Sequence, residues 1–274
     1  MCQVLEVSRS GYYAWRKRSA KSSVTSRHEQ LVEAIRAVHK QRYKDVYGSP
    51  RMTKELKAQG VACCENTVAK VMKQAGIRAY CRRIWVRTTD SNHRLPVAEN
   101  VLDRNFTPTQ PDAAWVADIT YVATQSGWLY LALVVDLYSR RIVGWSMSQT
   151  MESRLVVDAL AMAVGRREVR PGLIVHTDRG SQYCSEHYRG ELAREGFVAS
   201  MSRRANCWDN AVAESTFGRI KSELVHRCEY ADADEAKASL FEYVEVFWNR
   251  ERRHSTLGYI SPDEYERSHN PHTP

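Results

Sequence analysis

Three carboxylates in the second half of the 274-residue sequence sit where a charge is costly or where a helix can aim it. Asp118 interrupts the extended, β-branched and aromatic run WVADITYV (115–122), Asp178 follows the apolar stretch LIVHT (173–177), and Glu214 lies in a helical segment. A carboxylate among apolar neighbours needs a cation, a donor network or solvent to compensate its charge. Gathered around one point, three hard oxygen donors suit Mg²⁺, with Mn²⁺ as a substitute. Two such ions per site would activate a nucleophile and stabilise a leaving 3′ oxygen in an in-line phosphoryl transfer. Lys221, seven residues beyond Glu214 and two helical turns along, is placed to meet a phosphate.

The elements that must position these residues follow from periodicity. Residues 115–122, 128–138 and 141–147 read as three consecutive strands at hairpin spacing, an antiparallel meander. A helix over 152–165, a buried strand over 173–177, a helix near 186–195, a short strand over 197–201 and a long helix over 209–226 complete the order. That order is α/β, a ribonuclease-H-like mixed five-stranded sheet flanked by helices. In the last helix Ala213, Phe217, Ile220 and Leu224 form the stripe to be buried, and Asn210, Glu214, Phe217 and Lys221 form an adjacent row. Glu214 therefore points from the edge of the packing face, and a helix so oriented could offer it to the same spot as the two aspartates. Asn210, one turn earlier, is suited to orienting Glu214 or touching DNA, and equally to capping the helix. Asp136 competes for a metal role, but its Leu-Tyr-Ser-Arg sequel reads as a turn in which the aspartate accepts from backbone amides. His176, alone in an apolar strand, reads as a satisfied core residue.

Charge separates the two halves. Residues 1–111 hold 21 Lys+Arg and 9 Asp+Glu, whereas residues 112–274 hold 19 and 23. A basic front half joined to a mildly acidic back half suits a polyanion-binding module tethered to a carboxylate site. Residues 28–40 form an amphipathic helix through Leu31, Ile35 and Val38; YGSP (47–50) breaks the chain, 51–59 forms a second helix stopped by Gly60, and 65–75 forms a third stopped by Gly76. Two short helices around a turn, with Lys54, Lys57, Lys70 and Lys73 projecting, are the pattern of a DNA-binding helix-turn-helix. The expected division is a partial helix-turn segment over 1–25, an all-α helix-turn-helix region over 26–81, a basic Pro-containing linker over 82–111 free to lie along a partner, and the catalytic core with its tail over 112–274. Two further basic clusters, Arg203 with Arg204 and Arg250, Arg252, Arg253 with His254, are suited to a DNA path or to pairing with the acidic runs 232–235 and 242–245.

Several classes are disfavoured. Seven cysteines, an odd number without a CxxC, read as reduced thiols of a cytoplasmic, nucleoid-associated protein, mostly core or semi-buried fillers. His28, His39, Cys63 and Cys64 lack the spacing of a zinc site, so no zinc is expected. The longest apolar run, 128–135, is far too short to span a bilayer, and no apolar signal-peptide core opens the chain, so no membrane partner is expected. GxSxG, Walker A and GxGxxG patterns are absent from the sequence.

Asp118, Asp178 and Glu214, with 59 and then 35 residues between them, resemble the DD(35)E triad of retroviral integrases and related transposases. WVADITYV, GWLYLALVVDLYSRRIVGW, HTDRGSQY, SMSRRANCWDNAVAESTFGRIKSEL and NRERRHSTLGYISP resemble the second-frame (OrfB) transposases of insertion sequence family three. VSRSGYYAW and YGSPRMTKELKAQG…NTVAKVMKQAGI resemble that family's helix-turn-helix region. The resemblance implies a DNA transposase that nicks at its element's inverted-repeat ends and joins the freed 3′-OH to a new phosphate, without a covalent protein–DNA intermediate. It implies Asp118, Asp178 and Glu214 as holders of two metal ions, DNA ends and target DNA as partners, a homo-oligomer on DNA, and fusion or association with an upstream helix-turn-helix frame. Ala205 departs from the glycine expected in many relatives. A non-catalytic regulator that binds the terminal repeats is the rival reading.

Overall fold

A computed structural model describes residues 8–19, 23–80, 95–204 and 206–269. Ala205, the first half of the expected linker and both chain ends lie outside those residues. The chain divides into two compact units, Met1–Tyr80 and Cys81–Pro274.

The first unit is helical: α1 (Arg9–Ser19), α2 (Ser23–His39), α3 (Ser49–Ala58) and α4 (Glu65–Gln74). Leu31, Ile35 and Val38 of α2 are buried with Met52 and Leu56 of α3 and Val68, Val71 and Met72 of α4, so three amphipathic stripes close one small core. Pro50 falls inside α3 and does not precede it, because a first-turn proline forfeits no helical hydrogen bond. Both stops work as glycine C-caps. Gly60 and Gly76 adopt positive φ, and the following Val61 and Ile77 amides return to the carbonyls of Leu56 and Met72, each at 2.9 Å. One buried ion pair, Lys44 to Glu55 at 2.9 Å, ties the turn after α2 to α3.

In the second unit, β1 (Ala114–Thr124), β2 (Gly127–Asp136), β3 (Ile142–Ser148), β4 (Ile174–Thr177) and β5 (Val198–Met201) make one mixed sheet in the order β3-β2-β1-β4-β5. β1, β2 and β3 are the antiparallel meander; β4 and β5 join parallel to β1. α5 (Ser153–Arg166) makes the crossover and α6 (Glu186–Arg194) follows β4. Leu155, Val156, Ala159, Leu160 and Ala163 of α5, with Tyr188 and Leu192 of α6, pack on Trp115, Ala117, Ala132, Val134 and Val175. The alternate residues Val116, Val122, Leu129, Leu131, Leu133 and Val135 are buried on the other face, where α7 (Ala211–Glu223) and α8 (Ala233–Glu242) meet β1 and β2. α8 runs into a π-helical stretch, Tyr243–Glu251, and α9 (Pro262–His269) ends the described chain. Asn249 of the π-helical stretch pairs with both backbone groups of Ile142, at 2.9 and 3.0 Å, where the β2–β3 register shifts.

Two expectations change. The single long helix over 209–226 is a 3₁₀ turn (Cys207–Asn210), α7, and a second 3₁₀ turn (Val225–Arg227). The described part of the expected linker is bonded onto this unit: the Val101 and Leu102 amides donate to Ser200 Oγ at 2.9 and 3.0 Å, and Leu102 is buried. Proline and polar composition does not prevent a segment from covering a sheet face when its amides find buried acceptors. No described helix is long and apolar enough to cross a membrane. Of the described thiols, Cys184 is buried and Cys63 half-buried, but Cys64 and Cys228 are exposed and fill nothing.

Candidate active site

Strand alternation builds the site. Trp115 and Ala117 turn toward α5, so Asp118 turns to the α7 side of β1. The parallel register pairs Val116 with His176; two residues further along these neighbouring strands stand Asp118 and Asp178. Asp118 Oδ1 accepts from the Ile119 amide at 2.8 Å, and Asp178 Oδ1 accepts from the Gly180 amide at 2.9 Å. A Cβ on Gly180 would lie 3.0 Å from that Asp178 oxygen, a tight contact that would press on the carboxylate. Glu214 stands exposed in the first turn of α7, whose buried side is Ala213, Phe217 and Ile220. Lys221 is half-buried, its Nζ 4.6 Å from the centroid of the Tyr121 ring on β1.

Electrostatics link the four. Burial pushes the Asp118 carboxyl well above the usual carboxylate range, and the charges of Asp178 and Glu214 raise it further, against the Ile119 amide and the Lys221 ammonium. Glu214, though its side chain reaches solvent, is raised by partial desolvation and by Asp178. Burial lowers Lys221, and Asp118 opposes that shift. Carboxylates that raise one another hold a local excess of negative charge, which a divalent cation relieves. Among the described residues no three His, Cys, Asp or Glu side chains close into a cage around an ion. Three carboxylates make an all-oxygen donor set, which by its chemistry suits a hard divalent cation.

The other residues singled out in the sequence are dispersed. Asn210 precedes α7 but makes no side-chain cap; it is 4% exposed with Oδ1 unbonded, which leaves little of it to touch DNA. Arg204 is exposed; Arg203 is spent on Asp209 and Asp103 rather than on the acidic runs. Lys54, Lys57, Lys70 and Lys73 are all exposed on α3 and α4 of the first unit. Asp136 is fully buried, accepting from the Ser139 amide and hydroxyl and from the Asp112 amide. His176 is buried between Ser200 and Ser202, and burial holds it down to about 4, so it is neutral. Arg252 and His254 are buried too: Arg252 grips Glu223 at 2.6 and 2.8 Å, so neither lines a DNA path.

Two charged centres were not legible in the sequence. Asp209, fully buried beside the start of α7, gathers Arg203, Arg104 Nε at 2.8 Å and Asn100 Nδ2 at 3.0 Å, the two arginines holding its carboxyl far below the usual range. Glu223, at the end of α7, takes Arg252 and the Tyr243 hydroxyl, the latter at 2.6 Å. Their partners are up to 109 residues away, and only the lone Asp209 in CWDN and the clustering of charge in NRERRH hinted at either. Together they fix both ends of the helix that carries Glu214.

Comparison with known proteins agrees with this architecture. Residues 108–207 and 214–269 match two family models described as integrase core domain, and residues 26–85 match one described as HTH-like domain. Transposase InsF for insertion sequence IS3A of Escherichia coli K12 is 42% identical over 97% of this chain and 92% of its own length. The insertion element IS600 uncharacterized 31 kDa protein of Shigella sonnei is 44% identical over 96% of each. Among solved structures, the simian T-cell lymphotropic virus intasome in complex with PP2A regulatory subunit B56 gamma aligns over 83% of this chain and 72% of that one, at 14% identity and TM-score 0.48. The HTLV-2 integrase catalytic core domain in complex with magnesium aligns over 57% and 97%, at 16% identity and TM-score 0.44.

Proposed function

This chain belongs to the transposases of insertion sequence family three, and from that membership we propose that Asp118, Asp178 and Glu214 are its catalytic carboxylates, acting with divalent metal on the ends of the element's DNA. The observation that carries the assignment is the parallel register that sets Asp118 of β1 beside Asp178 at the end of β4, with Glu214 of the first turn of α7 near enough for its charge to raise Asp118. In the first reaction water attacks the phosphorus at the element end, the P–O3′ bond breaks, and a 3′-OH is released. In the second that 3′-OH attacks a target phosphate, forming one phosphodiester as another breaks; no protein–DNA bond forms. Two bound Mg²⁺ ions would supply Lewis-acid polarisation of the attacking and leaving oxygens.

The chain's own residues do the positioning. The Ile119 and Gly180 amides orient the two aspartates, α7 aims Glu214, and Lys221, steered by the Tyr121 ring, faces the charge of the phosphate. The lysines of α3 and α4 hold DNA phosphates through counterion release. Joining two ends of one element needs two such sites, which supports a homo-oligomer on DNA. The test is strand transfer: the full chain, a pre-cut labelled element-end duplex, a plasmid target and Mg²⁺ or Mn²⁺. Joined product is expected from the wild type, with a loss on the order of a thousandfold or more in Glu214→Gln, Asp118→Asn and Asp178→Asn. Undiminished joining by any of these variants removes that residue from the assignment.

A further inference from the structure

The turn that leads into α7 presents an indole to solvent. Trp208 is 69% exposed, more than any other large apolar side chain among the described residues. Its neighbour Asp209 is fully buried and accepts from the Arg203 amide at 2.9 Å, from Arg203 Nε and Nη2 at 2.9 and 3.0 Å, and from Arg104 and Asn100. Asn206 Oδ1 accepts from the Trp208 amide itself at 3.1 Å. A ring left in water on so firmly anchored a turn is held there against the hydrophobic effect.

Its surroundings identify what it meets. The same loop is stitched to the strand end that carries Asp178: the Ser202 amide donates to the Thr177 carbonyl at 2.9 Å, and Arg179 Nε donates to the Ser202 carbonyl at 2.7 Å. Six residues beyond Trp208 comes Glu214, and Arg204 is exposed four residues before it. An exposed aromatic ring close in sequence to an exposed arginine and to Glu214 is suited to single-stranded nucleic acid, the charge tracking phosphate while the ring stacks on a base. In a paired duplex the base faces are covered by their neighbours; in a single-stranded tail they are not.

We propose that Trp208 stacks on an unpaired base of the DNA next to the reacting phosphate, with the Asp209 cluster as its rigid mount. The proposal rests on the reading of the carboxylates as a DNA strand-transfer site, and it predicts a binding difference that needs no turnover. The full chain is titrated by fluorescence anisotropy with two element-end duplexes of one sequence, blunt and with a short single-stranded tail, as wild type, Trp208→Ala and Trp208→Phe. Base–aromatic stacking corresponds to a loss of about 5- to 150-fold. That loss is expected for Trp208→Ala on the tailed duplex and not on the blunt one, with Trp208→Phe recovering most of it and all three proteins melting together. Equal affinity of wild type and Trp208→Ala for the tailed duplex, or an equal loss on both duplexes, overturns the proposal; equal affinity would turn the indole toward a protein contact. The joining assay with Glu214→Gln is scored separately, so failure of the catalytic reading and failure of the stacking reading are told apart.

Discussion

A buried carboxylate is a metal ligand, a catalyst or a structural acceptor according to what surrounds it, and this chain holds each kind of surrounding. Asp118 has like charges beside it, whereas Asp209 has two arginines and an asparagine. At Asp136 the charges of Asp112 and Arg167 oppose each other; burial outweighs its hydrogen bonds from Ser139 and raises it to about 6. An acid raised on folding stabilises the protein fully below its unfolded value near 3.8 and loses that contribution as pH climbs through about 6. Relative to Asp136→Asn, the wild type is therefore expected to lose up to about 3 kcal/mol between pH 4 and 6 and to change little above. Urea unfolding of both proteins across that range measures it, and parallel curves would assign the pH dependence elsewhere.

At the scale of elements, close approach and buried pairing decide how the helices sit. A Cβ on Gly144 of β3 would collide with the Ala159 carbonyl oxygen and lie 2.8 Å from the Ala163 Cβ, so α5 packs where only glycine leaves room. Gly144→Ala is expected to cost about 1–3 kcal/mol, read from the urea midpoint. The far end of α7 depends on Glu223 and Arg252. Removing one member strands the other charge in the interior, so Arg252→Met is expected to cost about 3–5 kcal/mol, with part of that recovered when Glu223→Leu is added. Should the double variant be less stable than the single one, the pair is not the source of the loss.

For the whole molecule, the charge division assigns tasks. The helical unit carries exposed lysines on α3 and α4, and the sheet unit carries the acidic cluster. If Lys70 and Lys73 each neutralise a phosphate, Lys70→Ala with Lys73→Ala lowers the slope of log affinity against log salt by about 2, while strand-transfer chemistry at saturating DNA is retained. An unchanged slope would move the DNA contact to another face of the unit.

Local order, helix stops and the acidic spacing were open to reading from the sequence alone, because they depend on periodicity and on residues near in the chain. Leu31, Ile35 and Val38 marked α2, Gly60 and Gly76 ended their helices, and the run around Asp118 announced a strand. Tertiary structure decided what depends on partners far along the chain. It bound residues 95–111 onto the sheet unit, paired exposed Arg203 with Asp209, buried Arg252 against Glu223, buried Asn210, and left Trp208 in solvent. Periodicity reports which face of an element is apolar; only the folded chain decides which distant charge meets it.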